Sequence, residues 1–372
     1  MNYNYNHAII HRLSVLTGCL PNIMNNISTI SELLQLSDSS YRLYDMGRKV
    51  TKISKREFEK VEQAMQPYPY PIQGHACFAI VFWQNKPDIP YIWFVKFPLD
   101  ERGLLNQGAR NHYLAIILEA LGSDLTQDPT TKQEELLQAN PYNFTPTQYK
   151  LAALNAVVKR DLKQKSSEYY EHCQLFFSGK LGWETWQGVG VQGLCDFAAR
   201  IDTEENCNAL MQALPHLPIT VFTPLCSALE NQVLPISLLT QLIEMAQNEL
   251  TKGSTDFECL ANLIRAISAS AENPLVKTLI IEVIKAKQVA DLNVLLTISG
   301  RAWFALTDLN TLTLFLEKLV SIVEQNVFMA VFQDLIALPA IRPSLLQCIR
   351  SPQRSEKLAN AIGKIFTQVK NN

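Results

Sequence analysis

Two different periods of hydrophobic residues occur along this chain of 372 residues. Four early segments are rich in aromatic and β-branched residues, as strands are: Tyr41–Met46, Lys49–Ser54, Ala76–Trp83 and Tyr91–Phe97. Asn85–Pro90, between the last two segments, predicts a hairpin loop. Beyond residue 100, apolar positions recur at spacings of three and four, which indicates helices. The pattern predicts an α+β fold, in which a small, mostly antiparallel N-terminal sheet with helices precedes an all-α array of helical hairpins.

Local signals place helices beside the predicted sheet. Thr29 and Glu32 have the spacing of a capping box, which predicts a short helix over residues 28–36. Apolar positions predict two more helices, over Lys55–Met65 with Met65 on the apolar face, and over Gly103–Gly122.

Residues 203–372 show the most regular helical pattern. The predicted helices begin near Thr203, Leu217, Pro235, Thr255, Asn273, Val289, Asp308 and Val327. A pair of them occupies about 35–40 residues, close to the period of HEAT and armadillo repeats. Apolar stripes as wide as that of Leu312–Val323 need neighbouring helices on two sides. The pattern favours a HEAT- or armadillo-like solenoid, and an irregular bundle stays open because no residue-level similarity between the pairs is visible.

These signals divide the chain into four regions. Residues 1–23 form an Asn-rich leader, which we expect to be disordered or to precede a true start at Met24. Residues 24–122 are the predicted α+β module, residues 123–202 a helical connecting region, and residues 203–372 the repeat-like helical domain.

Composition and charge exclude some functions. A hydrophobic fraction of 47% with 18% charged residues supports a large core and argues against global disorder. A net charge of −2 argues against nucleic-acid binding through a broad basic face. One exception is the segment from Arg342 onward, where six basic residues stand against Glu356 alone. A solvated last helix explains this segment, and a weak nucleic-acid contact is the alternative.

Eight cysteines are scattered without a CxxC pair, which supports neither a zinc site nor a thioredoxin-type motif. The histidines show no metal-ligand spacing, so we expect no metal and no cofactor. Dispersed thiols suit a reducing compartment, and we expect a cytoplasmic protein. No apolar run approaches the roughly 20 residues that span a bilayer, so no membrane span is expected.

Two motifs resemble chemical sites and are better explained as structure. Residues Gly188–Gly193 match GxGxxG, but a dinucleotide site needs a hydrophobic strand before the first glycine, and none is predicted there. We expect these glycines either to let two helices pack closely or to mark a kink between helices. His75 and Cys77 face the same side of one strand, a poor geometry for a cysteine nucleophile and its base. We therefore assign no catalytic residues.

Charged residues at the strand ends are the best candidates for a ligand or partner site. Loops held by a rigid sheet often carry function. The candidate residues are Asp45, Arg48, His75, Lys96, Asp100 and Arg102. They are equally well explained as solvated loop charges or as an Asp–Arg pair that fixes a turn. The aromatic strands between them have two apolar faces, which predicts burial on both sides and leaves the ends as the accessible part.

Several stretches resemble a known protein family. They are ISTISELL at Ile27–Leu34, YRLYDMGRK at Tyr41–Lys49, PYPYPIQGHACFAIVFW at Pro67–Trp83 and IWFVKFPLDERGLL at Ile92–Leu105. They are similar to the domain-of-unknown-function family numbered 3549, over residues 24 to the end. The resemblance implies a gamma-proteobacterial, cytoplasmic protein with no known activity, so no functional residue is carried over from it.

Two functions stay open on the sequence alone. The first, which we favour, is a non-enzymatic interaction or scaffold protein that binds an unidentified protein partner through the surface of the helical array, since stacked helical pairs create large binding surfaces. The alternative is an enzyme or small-ligand binder with a site at the edge of the N-terminal sheet.

Overall fold

The computed structural model describes residues 27–83, 90–121, 131–252 and 256–371. The chain divides into two compact units, Met1–Thr147 and Gln148–Asn372. The predicted leader, the start at Met24 and most of the loop Asn85–Pro90 lie outside the described residues. The sequence-based boundaries at residues 122 and 202 fall inside the two units and stay predictions.

The first unit contains a four-stranded antiparallel sheet. The strands are β1 (Ser40–Asp45), β2 (Thr51–Ile53), β3 (His75–Trp83) and β4 (Tyr91–Pro98). Their order across the sheet is β2-β1-β3-β4. The predicted sheet is confirmed, with strand bounds that shift by one or two residues.

Both faces of the central strand β3 are buried. Phe78 and Ile80 belong to the main core of the unit, together with Phe97 of β4. Ala79 and Val81, which point to the opposite face, are fully buried as well. Because side chains alternate along a strand, β3 needs apolar residues at nearly every position, which explains its unbroken apolar sequence.

Four helices accompany the sheet in the described part of this unit. They are α1 (Ile30–Leu36), α2 (Lys55–Glu62), α3 (Gln107–Leu121) and α4 (Thr131–Gln138). The predicted capping box is present, because the Thr29 hydroxyl accepts from the Glu32 N–H at 3.1 Å and Glu32 bonds back to the Thr29 N–H at 3.1 Å. Helix α3 begins later than predicted, since the Asn106 side chain accepts from the Ala109 N–H at 2.9 Å and so caps the helix there.

Helix α2 ends three residues before the predicted Met65. Ala64 adopts a left-handed conformation with a φ of 55°. Its N–H donates to the Val61 carbonyl at 3.0 Å, and the Met65 N–H donates to the Lys60 carbonyl at 2.8 Å. This pair of bonds is a Schellman cap, which stops the helix and turns the chain. The prediction that Met65 packs with the apolar face is therefore wrong, and its side chain is 72% exposed.

The second unit is helical throughout its described residues. Its helices are α5 (Gln148–Asp161), α6 (Tyr169–Phe177), α7 (Val191–Ala198), α8 (Glu204–Ala213), α9 (Ile219–Leu229), α10 (Ile236–Thr251), α11 (Glu258–Ala266), α12 (Pro274–Lys285), α13 (Leu292–Arg301), α14 (Leu309–Ile322), α15 (Gln325–Ala337), α16 (Arg342–Arg350) and α17 (Glu356–Asn371). The eight predicted starting points between residues 203 and 327 lie within three residues of observed helix starts.

The helices of this unit form two layers. Each helix packs against the helix two positions later in the chain. The odd-numbered helices α5 to α17 therefore form one layer, and the even-numbered helices α6 to α16 form the other. Thr223 meets Asn262, and further along the same two helices Glu230 meets Arg265, so neighbours in a layer run parallel. The predicted array of helical hairpins is confirmed, and it extends back to residue 148.

Polar contacts between neighbours in a layer recur at about the same sequence separation. The Gln241 side chain donates to the Met211 carbonyl at 3.0 Å, 30 residues away. The Gln325 side chain donates to the Ala361 carbonyl at 2.9 Å, 36 residues away. Neighbouring helices of a layer are therefore tied together by residues about 30–36 positions apart, a relation that the individual helices do not reveal.

Candidate functional site

The candidate residues of the first unit gather around one end of the sheet. The strand register pairs Asp45 with Phe78 and His75 with Pro98, so the end of β1, the start of β3 and the end of β4 meet there. Arg48 lies in the turn after β1, and Asp100 and Arg102 lie in the turn after β4. Lys96 lies two residues before the end of β4, and its backbone N–H donates to the Tyr142 carbonyl at 2.7 Å.

Asp45 and Arg48 are buried and hold the turn after β1. The Asp45 carboxylate accepts hydrogen bonds from the Gly47 N–H at 3.1 Å, the Arg48 N–H at 3.2 Å and the Tyr68 hydroxyl. The Arg48 guanidinium donates to the Pro71 carbonyl at 2.8 Å. Burial and the neighbouring Asp45 charge raise the pKa of Tyr68 well above its usual value. The pair ties the segment before β3 to this turn.

The other candidates at this end are at the surface. The Asp100 carboxylate accepts from the N–H groups of Leu104 at 2.7 Å and Arg102 at 2.9 Å. The bond from Leu104 is the main reason why the pKa of Asp100 lies below its usual value. The His75 ring bonds to the Gln73 carbonyl at 2.7 Å. These contacts form local turns, and a ligand site built from the six candidates stays a prediction.

The GxGxxG segment serves helix packing. The residues before it form a short 3-10 turn, Trp183–Gly188, and not a strand. A Cβ atom on Gly193 would lie 2.8 Å from the Tyr169 carbonyl oxygen and 3.4 Å from the Cβ of Cys173. Helices α6 and α7 therefore approach so closely that α7 has no room for a side chain at this position, which supports the close-packing interpretation at Gly193.

A groove lies between the parallel helices α11 and α13 of the second unit, with a volume of about 320 Å³. Its lining residues are Glu258, Ala261, Asn262, Arg265, Asn293, Leu296, Thr297 and Arg301. The four residues of α11 each have a counterpart on α13, 35 or 36 positions later. The groove is thus built from equivalent positions of two successive helical pairs.

A shared carboxylate organises one end of the groove. The side chain of Glu230, at the end of α9, is only 6% exposed. It accepts from Arg265 Nε at 2.6 Å and from Arg265 Nη2 at 3.0 Å, and Arg301 Nε lies 3.4 Å from it. Burial opposes the charge of Arg265, but the hydrogen bonds and charge of Glu230 outweigh it and raise the pKa of the guanidinium. Arg265 is therefore held at this end in charged form, and Arg301 lies beside the same carboxylate.

The guanidinium of Arg265 has binding capacity beyond Glu230. It carries five N–H donors, of which two serve Glu230. Within the part of the chain that the structure describes, no side chain or carbonyl accepts the other three, and the side chain is 30% exposed. The opposite end of the groove carries the exposed carboxylate of Glu258, in the first turn of α11. The two ends of the groove therefore differ in charge.

The middle of the groove is mixed in polarity. The Asn262 side chain donates to the Thr223 hydroxyl at 3.0 Å, which fixes its orientation. Leu296 on the facing helix is 41% exposed. Sequence reasoning missed this groove, although Glu230, Arg265 and Arg301 recur at separations of 35 and 36 residues, a signal visible only once the helices are aligned.

The described residues offer little for metal or thiol chemistry. None of them form a group of three or more histidine, cysteine, aspartate or glutamate side chains that could hold a metal ion. Burial raises the pKa of the Cys195 thiol to about 12 and that of Cys259 to about 11, so both stay protonated near neutral pH. Among the described helices, none has the length and apolar character required to cross a membrane.

The fold is thus a small antiparallel sheet module followed by a two-layer helical array with a groove of mixed charge. A family model described as Protein of unknown function (DUF3549) matches residues 25–366. This match spans most of the chain, so the chain belongs to that family, which confirms the resemblance found in the sequence. No curated protein and no solved structure matches the chain.

Proposed function

We propose that this protein is a non-enzymatic interaction or scaffold protein of the cytoplasm, built on HEAT-like helical repeats, and that it binds a segment of a partner protein in the groove between α11 and α13. The observation that carries the proposal is the register of the groove. Equivalent positions of two successive helical pairs supply its lining, so the array itself forms the trough. Stacked helical pairs are suited to this use because their surfaces are long and continuous.

The chemistry of the groove also favours binding over catalysis. Its arginines are positioned by the buried Glu230 carboxylate, which contacts both of them. An exposed leucine, Leu296, adds apolar contact area between the polar ends. A few fixed polar groups beside an apolar wall are typical of recognition sites.

A capture experiment with matched variants tests the proposal. The tagged full chain is used to retain proteins from a lysate of the organism that encodes it, and retained proteins are quantified by mass spectrometry. We expect a stoichiometric partner, whose recovery falls about tenfold or more with Leu296→Asp. The control is Leu346→Asp on α16, in the other layer, where the side chain is equally exposed at 42% against 41%. Repeated recovery of no partner, or equal loss with both variants, refutes the proposal.

A further inference from the structure

The geometry of the groove points to a specific kind of partner segment, and this inference rests on the proposed function. We propose that the groove binds an extended peptide segment that carries one acidic and one basic side chain about three residues apart. The acidic side chain lies at the arginine end, and the basic side chain lies at the Glu258 end.

The spacing follows from the geometry of the helix and of an extended peptide in the polyproline II conformation. Glu258 and Arg265 are seven residues apart on α11, and a helix rises about 1.5 Å per residue, so the two ends lie roughly 10 Å apart. An extended chain in the polyproline II conformation advances about 3.1 Å per residue with three residues per turn, so side chains three positions apart lie on the same face and about 9 Å apart. Two charges at this spacing on the partner face opposite charges on the groove.

The arginine end selects the acidic side chain. Three N–H donors of Arg265 have no acceptor among the described residues, and Arg301 contributes a second positive charge beside it. Glu230 holds the Arg265 guanidinium through two parallel bonds, so little side-chain entropy is lost when an anion binds. A carboxylate matches the planar arrangement of donors on arginine.

The middle of the groove suits a peptide backbone. Asn262 uses one N–H of its amide for Thr223, and its carbonyl oxygen has no donor among the residues that the structure describes. A side-chain amide offers a donor and an acceptor, the same pair that a peptide unit presents. Leu296 lies on the opposite wall and provides an apolar surface for a partner side chain.

An extended peptide fits the groove better than a small metabolite does. Small ligands are usually enclosed, with most of their surface buried. Here Glu258, Asn293 and Leu296 are exposed, so the groove is an open trough along two parallel helices. A chain lying along the trough continues past both ends, which a compact ligand cannot do.

Fluorescence polarisation with the full chain and labelled six-residue peptides tests this inference. One peptide places aspartate and lysine three positions apart between alanines and glycines, and a second reverses their order. Comparison peptides carry two aspartates, two lysines or only alanines. We expect one of the two mixed-charge peptides to bind about fivefold or more tightly than each comparison peptide. This preference should weaken with added salt, because partly exposed charges are screened.

A charge-reversal variant separates the proposed contact from general attraction. Glu258→Lys should change the preference from the mixed-charge peptide to the one with two aspartates. Glu244→Lys, an equally simple change at an exposed position of α10 in the other layer, should leave the preference unchanged. The inference is overturned if neither mixed-charge peptide exceeds the alanine peptide, or if Glu258→Lys keeps the original preference. If capture of a partner still depends on Leu296 in that case, only this inference fails and the proposed function stands.

Discussion

The close contact at Gly193 yields a sharp prediction about stability. In Gly193→Ala, the new Cβ would lie 2.8 Å from the Tyr169 carbonyl oxygen, a distance that side chains do not tolerate. The atom in the way belongs to the backbone of α6, so the two helices must separate. Overpacking of this kind costs about 1–3 kcal/mol. Replacing glycine by alanine within a helix contributes about 0.5–1 kcal/mol in the opposite direction. We expect a net loss of about 1 kcal/mol, within a range of about 0–2.5 kcal/mol.

Two further glycines provide graded controls. At Gly300, within α13, a Cβ atom would have no other atom within 4 Å, so Gly300→Ala should increase stability by about 0.5–1 kcal/mol. At Gly188 the nearest atom, at 2.8 Å, belongs to the movable ring of His172, so Gly188→Ala should cost less than Gly193→Ala. The same substitution is thus expected to have opposite effects at Gly193 and Gly300.

Thermal unfolding followed by circular dichroism at 222 nm measures these effects. For a unit of this size, a change of 1 kcal/mol shifts the midpoint by about 2–4 °C. Hydrogen exchange should locate the damage of Gly193→Ala in α6 and α7. If Gly193→Ala stabilises the protein as Gly300→Ala does, the close approach of α6 and α7 is refuted.

Three further predictions concern charged groups that hold turns, helix pairs and helix starts. Asp45→Asn places an amide N–H group against backbone donors and should cost about 1–3 kcal/mol, measured by urea unfolding, with an unchanged midpoint contradicting the structural role. Arg265→Met removes the two Arg265 hydrogen bonds to the buried Glu230 carboxylate, so it should destabilise the protein by about 3 kcal/mol or more. Adding Glu230→Met removes the buried charge itself and should restore much of that stability. Burial alone would raise the pKa of Asp308, but bonds from Thr311 at the start of α14 keep it below its usual value. The contribution of Asp308 to folding stability is therefore present above its unfolded pKa and is lost as the pH falls through the lower folded pKa. Asp308→Ala should cost about 1 kcal/mol of stability at neutral pH. It should also remove the part of the acid-induced loss of stability that comes from Asp308.

Local signals allowed much of the fold to be predicted. The capping box at Thr29 and Glu32 occurs where its spacing predicted it, because capping depends on residues within one turn. Apolar spacing located the helix starts of the array for the same reason. The end of α2 was missed because Ala64 adopts a left-handed conformation that alanine rarely takes, so composition gave no stop signal there.

The candidate site was less predictable. Asp45 and Arg48 were recognised as a pair near a turn, but their burial depends on Tyr68 and Pro71, more than 20 residues away. The groove residues were not selected at all, since Arg265 and Arg301 look like ordinary basic residues in the last turns of two helices. Their role in the groove depends on the Glu230 carboxylate, which contacts both arginines.

By itself, the sequence determined the classes of secondary structure, their order and the family, because periodicity, caps and local motifs act over a few residues. The tertiary structure alone decided which charges are buried in turns and which face a groove. Those outcomes depend on contacts between residues about 35 positions apart, such as Glu230 with Arg265. Such contacts form only after the helices stack in register, and only then can their desolvation and hydrogen bonding be assigned.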